Sequence, residues 1–184
     1  MLVVAERENL PVLEAKAGDP KAWDILFRRY QMPLYVYVVE LVHEQQAALD
    51  IVQETFIAAT RHIASLHDDE KFGGWLFRIA HQKCVQLWRK ADTARAAFEK
   101  LAEEPSDFET APDDLLIRRE QEDQFMNLLR DLHPEHRSVL LLRFIEDFSL
   151  DEIAQITNLP VGTVKSRLHY AKRALRALVE KDPQ

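Results

Sequence analysis

The sequence predicts an all-α protein made of two small helical domains joined by an acidic flexible linker, the second domain carrying a helix-turn-helix. Three observations predict it. Apolar residues recur at spacings of three and four, the repeat of helices with one buried face. Only four glycines occur in 184 residues, too few for a turn-rich β protein. Two stretches with basic faces lie on either side of an acidic, proline-containing one. The domains are expected at 1–93 and 113–184, with the linker at 94–112.

In the first domain, Gly18-Asp19-Pro20 predicts a helix start. Asp19 is the N-cap, and Pro20 takes the first helical position, where a missing N–H costs nothing. Trp23, Phe27, Tyr30 and Leu34 follow at helical spacing. The stretch 34–42 is rich in Tyr and Val, and propensity alone would allow a strand. Helix is preferred because Leu34, Val38 and Leu41 extend the same face. A second helix is expected over about 44–65, with Leu49, Val52, Phe56 and Ile63 on one side. Residues 67–70 read as a polar loop. Gly73-Gly74, the only double glycine, stands just before a helix expected from near Trp75. That helix carries Leu76, Ile79, Ala80, Val85 and Leu87 with basic residues between them.

From about residue 91 to 112 the pattern weakens, although a helical turn over 94–101 fits it. Pro105, Ser106, Thr110 and Pro112 bracket a polar, acidic segment that reads as linker. Asp113-Asp114 would cap the next helix, which runs to about Leu132, and His133-Pro134 breaks it. A helix over about 135–145 follows, containing Val139, Leu140, Leu142 and Phe144. Ser149-Leu150-Asp151-Glu152 is a capping box, in which Ser149 caps and Glu152 reaches back. A short helix then turns Ile153, Ala154 and Ile156 inward, and 157–160 form the turn. Val161 opens a second helix, with Val164, Leu168, Ala171 and Leu175 facing in.

Charge narrows the function classes. The net charge is −7, which by itself disfavours a nucleic-acid binder. The charges are segregated, however. Lys71, Arg78, Lys83, Arg89, Lys90 and Arg95 face Asp92 alone, and Lys165, Arg167, Lys172, Arg173, Arg176 and Lys181 face Glu180 alone. Between them lie Glu99, Glu103, Glu104, Asp107, Glu109, Asp113 and Asp114. Two basic patches imply two nucleic-acid-facing surfaces, where solvated helix faces are the plainer alternative for either patch alone. No apolar run is long enough to span a bilayer, and 1–9 lacks a signal-peptide pattern, so a cytoplasmic protein without membrane insertion is expected. The seven histidines are scattered and form no metal pair or triad with Cys84, which reads as a small buried filler. There is no glycine-rich phosphate loop. No enzyme activity, cofactor, metal or small-molecule substrate is expected.

Two surfaces carry chemistry. The outer face of the last helix shows Thr163, Lys165, Ser166, Arg167, His169, Tyr170 and Arg173, donors for phosphates and for base edges in a major groove. In 50–56, Val52 and Phe56 face inward on a helix, while Asp50, Gln53, Glu54 and Thr55 form a compact polar patch suited to a basic partner helix.

Here the residues resemble a known family. The run Asp50-Ile51-Val52-Gln53-Glu54-Thr55-Phe56 resembles the core-polymerase-binding motif of bacterial extracytoplasmic-function sigma factors. Phe72-Gly73-Gly74-Trp75-Leu76-Phe77-Arg78-Ile79-Ala80 resembles their promoter-melting helix, and 159–168 their upstream-element reader. The three motifs stand in the right order and cover nearly the whole chain. The resemblance implies that Asp50, Gln53, Glu54 and Phe56 dock on core RNA polymerase, at its β′ clamp, with the β flap as a second contact. It implies that Lys71, Trp75, Arg78, Gln82, Lys83, Gln86 and Arg89 recognise and melt the −10 element. Gln82 and Gln86 fall where many members carry Asn or Asp, which keeps an amide but lengthens the side chain by a carbon. Trp75 and Trp88 could stack a base, although core packing is favoured for both. Lys165, Ser166, His169 and Tyr170 would read −35 bases, and Thr163, Arg167 and Arg173 its phosphates. Promoter DNA, duplex and melted, is the implied nucleic acid, and an anti-sigma factor is a further candidate partner. The expected likeness is to small, minimal members without an added C-terminal domain. The competing reading is a stand-alone helix-turn-helix regulator acting as a dimer on a palindromic operator.

Overall fold

The computed structural model describes residues 10–99, 129 and 132–181, with backbone alone for 91–99 and 178–181. Its helices are α1 (Val12–Lys16), α2 (Pro20–Val42), α3 (Gln45–His62), α4 (Phe72–Glu99), α5 (Pro134–Ile145), α6 (Leu150–Thr157) and α7 (Val161–Lys181). Two one-turn 3-10 helices, Ile63–Ser65 and Asp69–Lys71, join α3 to α4. Every element among the described residues is helical, as the periodicity predicts.

The ends are set by local chemistry. The Asp19 carboxylate accepts the Lys21 N–H, and Pro20 occupies the first position of α2. Helix α2 then runs unbroken through 34–42, because burying Leu34, Tyr37, Val38 and Leu41 on one face outweighs their strand propensity. It ends at His43, whose left-handed φ of 56° lets its N–H reach the Val39 carbonyl at 2.9 Å. Glu44 caps α3, its carboxylate accepting the N–H groups of Gln46 and Ala47 at 2.7 and 2.5 Å. Both halves of the predicted capping box form at α6: Ser149 Oγ accepts the Glu152 N–H at 3.2 Å, and Glu152 accepts the Ser149 N–H at 2.7 Å. Asn158, at φ 56°, closes α6.

Helices α2, α3 and α4 pack together, with α1 on α2, and α5, α6 and α7 pack into a second lobe. The lobes dock on each other: α6 lies on α4 and α5 on α2, and the buried side chains form one continuous cluster. Phe148, just before α6, stands edge-on to Phe77 of α4 with ring centroids 5.3 Å apart. Arg29 of α2 grips Glu146 with two hydrogen bonds of 3.0 and 2.7 Å. Arg137 of α5 is buried and donates to the carbonyls of Glu40 at 2.7 Å and Leu132 at 2.7 Å.

Three expectations about the packing change. Leu49 is 52% exposed, because α3 turns Ala48 and Ile51 into the core instead. Phe27 is also exposed, lying at the rim with its ring on Phe56 at 4.8 Å. Gly73 and Gly74 do not stand just before the helix but lie in the first turn of α4. The ring of Tyr30 lies over Gly73 so closely that a Cβ there would stand 2.7 Å from the Tyr30 hydroxyl. Helix α4 continues to Glu99, in keeping with the helical stretch that the sequence allows over 94–101. The rest of the linker, the cap at Asp113-Asp114 and most of the helix expected up to Leu132 lie outside the described residues.

Two consequences can be measured. Gly73→Ala should destabilise the protein by about 1–2 kcal/mol in urea unfolding, overpacking against Tyr30 outweighing the ~1 kcal/mol gained in helix propensity. Adding Tyr30→Phe should recover part of that loss. The second concerns His81, buried on α4 with Nδ1 hydrogen-bonded to the Tyr37 hydroxyl at 2.8 Å. Burial, with the Arg167 charge as the lesser cause, lowers its pKa from 6.5 to about 4. The unfolded chain therefore takes up this proton at higher pH than the folded one. Stability from keeping His81 neutral is full above about pH 6.5, declines as pH falls, and is lost below about 4, a total of about 3 kcal/mol. Relative to a His81→Gln variant, the wild type should lose stability across that window and not above it.

Candidate polymerase-docking and nucleic-acid surfaces

The polar patch of α3 forms as the spacing predicts for three of its residues. Asp50, Gln53 and Glu54 are exposed, and Gln46 Nε2 donates to Asp50 at 3.2 Å. Phe56 is buried beneath them. Thr55, expected to point outward, is buried with its hydroxyl donating to the Ile51 carbonyl at 2.7 Å. A threonine satisfied by the preceding turn needs no solvent, so the patch is smaller than expected.

On α4, Arg78, Gln82, Gln86 and Arg89 are exposed, and steps of three and four place them in one stripe. Lys71 lies just before the helix and pairs with Asp68 at 3.0 Å. Lys83 leaves the stripe: its ammonium meets Glu54 at 2.6 Å. That hydrogen bond holds the Glu54 carboxyl below its usual pKa, and it joins the docking patch of α3 to the helix proposed for the −10 element. Trp75 is half-buried against Phe72, ring centroids 5.9 Å apart. Trp88 is held by its indole N–H on the Leu41 carbonyl at 3.2 Å. Both indoles are partly buried and pack against the core. Cys84 is buried, and desolvation pushes its thiol up to about 12, which suits a filler and not a nucleophile.

On α7, Val164, Leu168 and Ala171 face the core. Lys165, Ser166, His169, Tyr170 and Arg173 are exposed on the outer face, with Thr163 at its edge. Ser166 donates back to the carbonyls of Gly162 and Thr163, at 3.2 and 3.0 Å. Arg167 departs from its expected place beside them. It is half-buried and donates to Glu135 of α5 at 2.7 Å, so a carboxylate already holds the guanidinium proposed for phosphate. Tyr170 carries neighbours as well: His136 of α5 stacks on it at 6.1 Å and 24°, and the Arg173 guanidinium lies over its ring at 5.8 Å. Sequence reasoning missed Glu135 and His136, which bear no periodicity signal beyond their place in the turn after Pro134.

No helix among the described residues is long and apolar enough to cross a membrane, and these residues hold no cluster of His, Cys, Asp and Glu able to bind a metal. Comparison with known proteins assigns the family. The Sigma-70 region 2 family matches residues 26–94, and the Sigma-70, region 4 family matches 122–175. The chain is 30% identical over 182 residues to the RNA polymerase sigma-H factor of Pseudomonas aeruginosa, covering 95% of this chain and 94% of that protein. It is 30% identical over 173 residues to the ECF RNA polymerase sigma factor SigW of Bacillus subtilis, covering 90% and 92%. Among solved structures, CnrH in complex with the cytosolic domain of CnrY has a TM-score of 0.68 at 24% identity, covering 97% of this chain and 100% of that one. The sigma factor RpoE of Bartonella quintana, in complex with the anti-sigma factor NepR, has a TM-score of 0.65 at 22% identity, covering 86% and 98%. These two are likenesses of fold. The chain belongs to the extracytoplasmic-function sigma factors of the sigma-70 family, non-enzymatic subunits that direct transcription initiation.

Proposed function

We propose a division of labour within this sigma factor. Residues 1–93 dock on the β′ clamp of core polymerase through Asp50, Gln53 and Glu54, with Phe56 as their buried support, and recognise and melt the −10 element through Arg78, Gln82, Gln86 and Arg89. Lys71 lies at the edge of that stripe, Lys83 joins it on giving up Glu54, and Trp75 shapes it from below. Residues 113–184 read the −35 element and meet the β flap, and 94–112 connect the two. On α7, Lys165, Ser166, His169 and Tyr170 face bases, while Thr163 and Arg173 face phosphates and Arg167 does so only on giving up Glu135. The observation that carries the reading is the double-bonded capping box before α6 together with the exposed basic and aromatic face of α7. With α6 so capped and α7 packed against it, α7 is presented to a major groove with its side chains already arranged.

The same reading requires the lobes to separate. Elements named −35 and −10 lie about 25 base pairs apart, roughly 80 Å of duplex at ~3.4 Å per base pair. Here α6, the helix that precedes the DNA-reading helix α7, rests directly on α4, the helix proposed for the −10 element. Polymerase would hold the lobes apart, and once one is bound the second contact becomes effectively intramolecular. The CnrH and RpoE structures each hold a partner protein, so an anti-sigma factor is a reasonable regulator of this chain too. The work takes place in the cytoplasm, where polymerase and promoters are.

The test is reconstitution. The purified chain should co-elute with bacterial core polymerase and support promoter-dependent transcription, and failure to bind core would remove the docking assignment. Gln53→Ala with Glu54→Ala should weaken core binding roughly tenfold, about 1.4 kcal/mol, with the melting temperature little changed. Lys165→Ala should cost about 1–3 kcal/mol on the preferred upstream sequence and relax choice at one position. An equal loss on every sequence would mark it as a phosphate contact.

A further inference from the structure

We propose that the first turn of α5 is a positioning platform for the DNA-reading helix, and that His136, through its stack on Tyr170, sets how sharply the upstream element is discriminated. The inference rests on the proposed −35 role of α7. Two consecutive residues of α5 each hold a residue of α7: Glu135 binds Arg167 at 2.7 Å, and His136 lies on Tyr170 at 6.1 Å and 24°. Residues 167 and 170 are one turn apart on α7, so the grip falls on a single face. The platform is itself immobilised. Pro134 fixes the backbone at the helix start, and His133 caps it, with its ring 6.0 Å from that of His136. The next residue, Arg137, is buried and bonded to the carbonyls of Glu40 and Leu132.

Tyr170 is thus bounded by three groups: His136 from α5, and His169 at 5.8 Å and Arg173 at 5.8 Å from its own helix. It nevertheless remains 51% exposed. A ring held in one orientation meets the right base without first being ordered, and it adapts less readily to a wrong one. His136 is therefore a positioning residue acting through Tyr170, and its effect belongs in selectivity more than in overall affinity.

The experiment uses holoenzyme reconstituted with the full chain and a pool of promoter duplexes randomised across the upstream element. Bound duplexes are sequenced for wild type, Tyr170→Ala, His136→Ala and His136→Phe. Tyr170→Ala is expected to lose preference at one or two base positions. His136→Ala should flatten preference at those same positions by about 3–10-fold, with core co-elution unchanged. His136→Phe, which keeps an aromatic face and no charge, should restore it. If Tyr170→Ala alters the preferences and His136→Ala does not, the platform is overturned and the reading of α7 stands. If His136→Ala weakens all duplexes equally and Phe does not rescue it, His136 is a phosphate contact and the platform is again overturned. If Tyr170→Ala changes nothing, both the platform and the Tyr170 assignment beneath it fail.

Discussion

The buried guanidinium of Arg137 is the constraint on which the arrangement of the two lobes depends. Taking a charge out of water costs several kcal/mol unless other groups replace the solvent. The replacement here includes the carbonyls of Glu40, near the C-terminus of α2, and of Leu132, together with contact to the His43 ring. Carbonyls at a helix C-terminus lack intrahelical partners and carry the negative end of the dipole, so they suit a cation that cannot lose its proton. The start of α5 is thereby tied to the end of α2. Beyond the other end of α5, Glu146 is tied back to Arg29. The intervals agree: 29 to 40 spans about 16 Å of helix and 137 to 146 about 14 Å, at ~1.5 Å per residue. Helix α5 therefore lies alongside the C-terminal half of α2, pinned near both of its own ends, and Phe148 is delivered onto Phe77 of α4.

The local part of this architecture was legible in the sequence because its causes are local. Asp19 before Pro20, the Ser149–Glu152 reciprocal cap and the turn at Asn158 each involve groups within a few residues of one another. Repeats of three and four placed most core residues correctly, including Tyr30, Leu34, Val52, Ile153 and Leu168. They failed at the edges of the stripe, where Leu49 and Phe27 face out, because periodicity gives a direction and not how far a neighbouring helix reaches. The constraint on Gly73 is not local. Its cause is a tyrosine forty-three positions earlier in the chain, brought over the backbone by tertiary packing.

The candidate surfaces show the same division. Exposure of Asp50, Gln53, Glu54, Lys165, His169 and Tyr170 followed from helical phase alone. What the phase could not show is which polar groups are already engaged within the protein. Thr55 satisfies itself against its own helix, Arg167 is taken by Glu135, and Lys83 by Glu54. Arg29 and Glu146 are 117 positions apart, and in a single sequence nothing distinguishes them from any other two residues of opposite charge.

The pairs Lys83–Glu54 and Arg167–Glu135, at 2.6 and 2.7 Å, also bear on how the unassembled protein meets bulk DNA. Non-specific attraction to a duplex comes chiefly from the entropy of small cations displaced from its phosphates, at about 0.9 ion per contact made. A lysine or arginine already neutralised by a neighbouring carboxylate displaces none until that bond is given up. These pairs thus remove about two contacts from the electrostatic footprint, and the dependence of genomic background binding on ionic strength is correspondingly shallower.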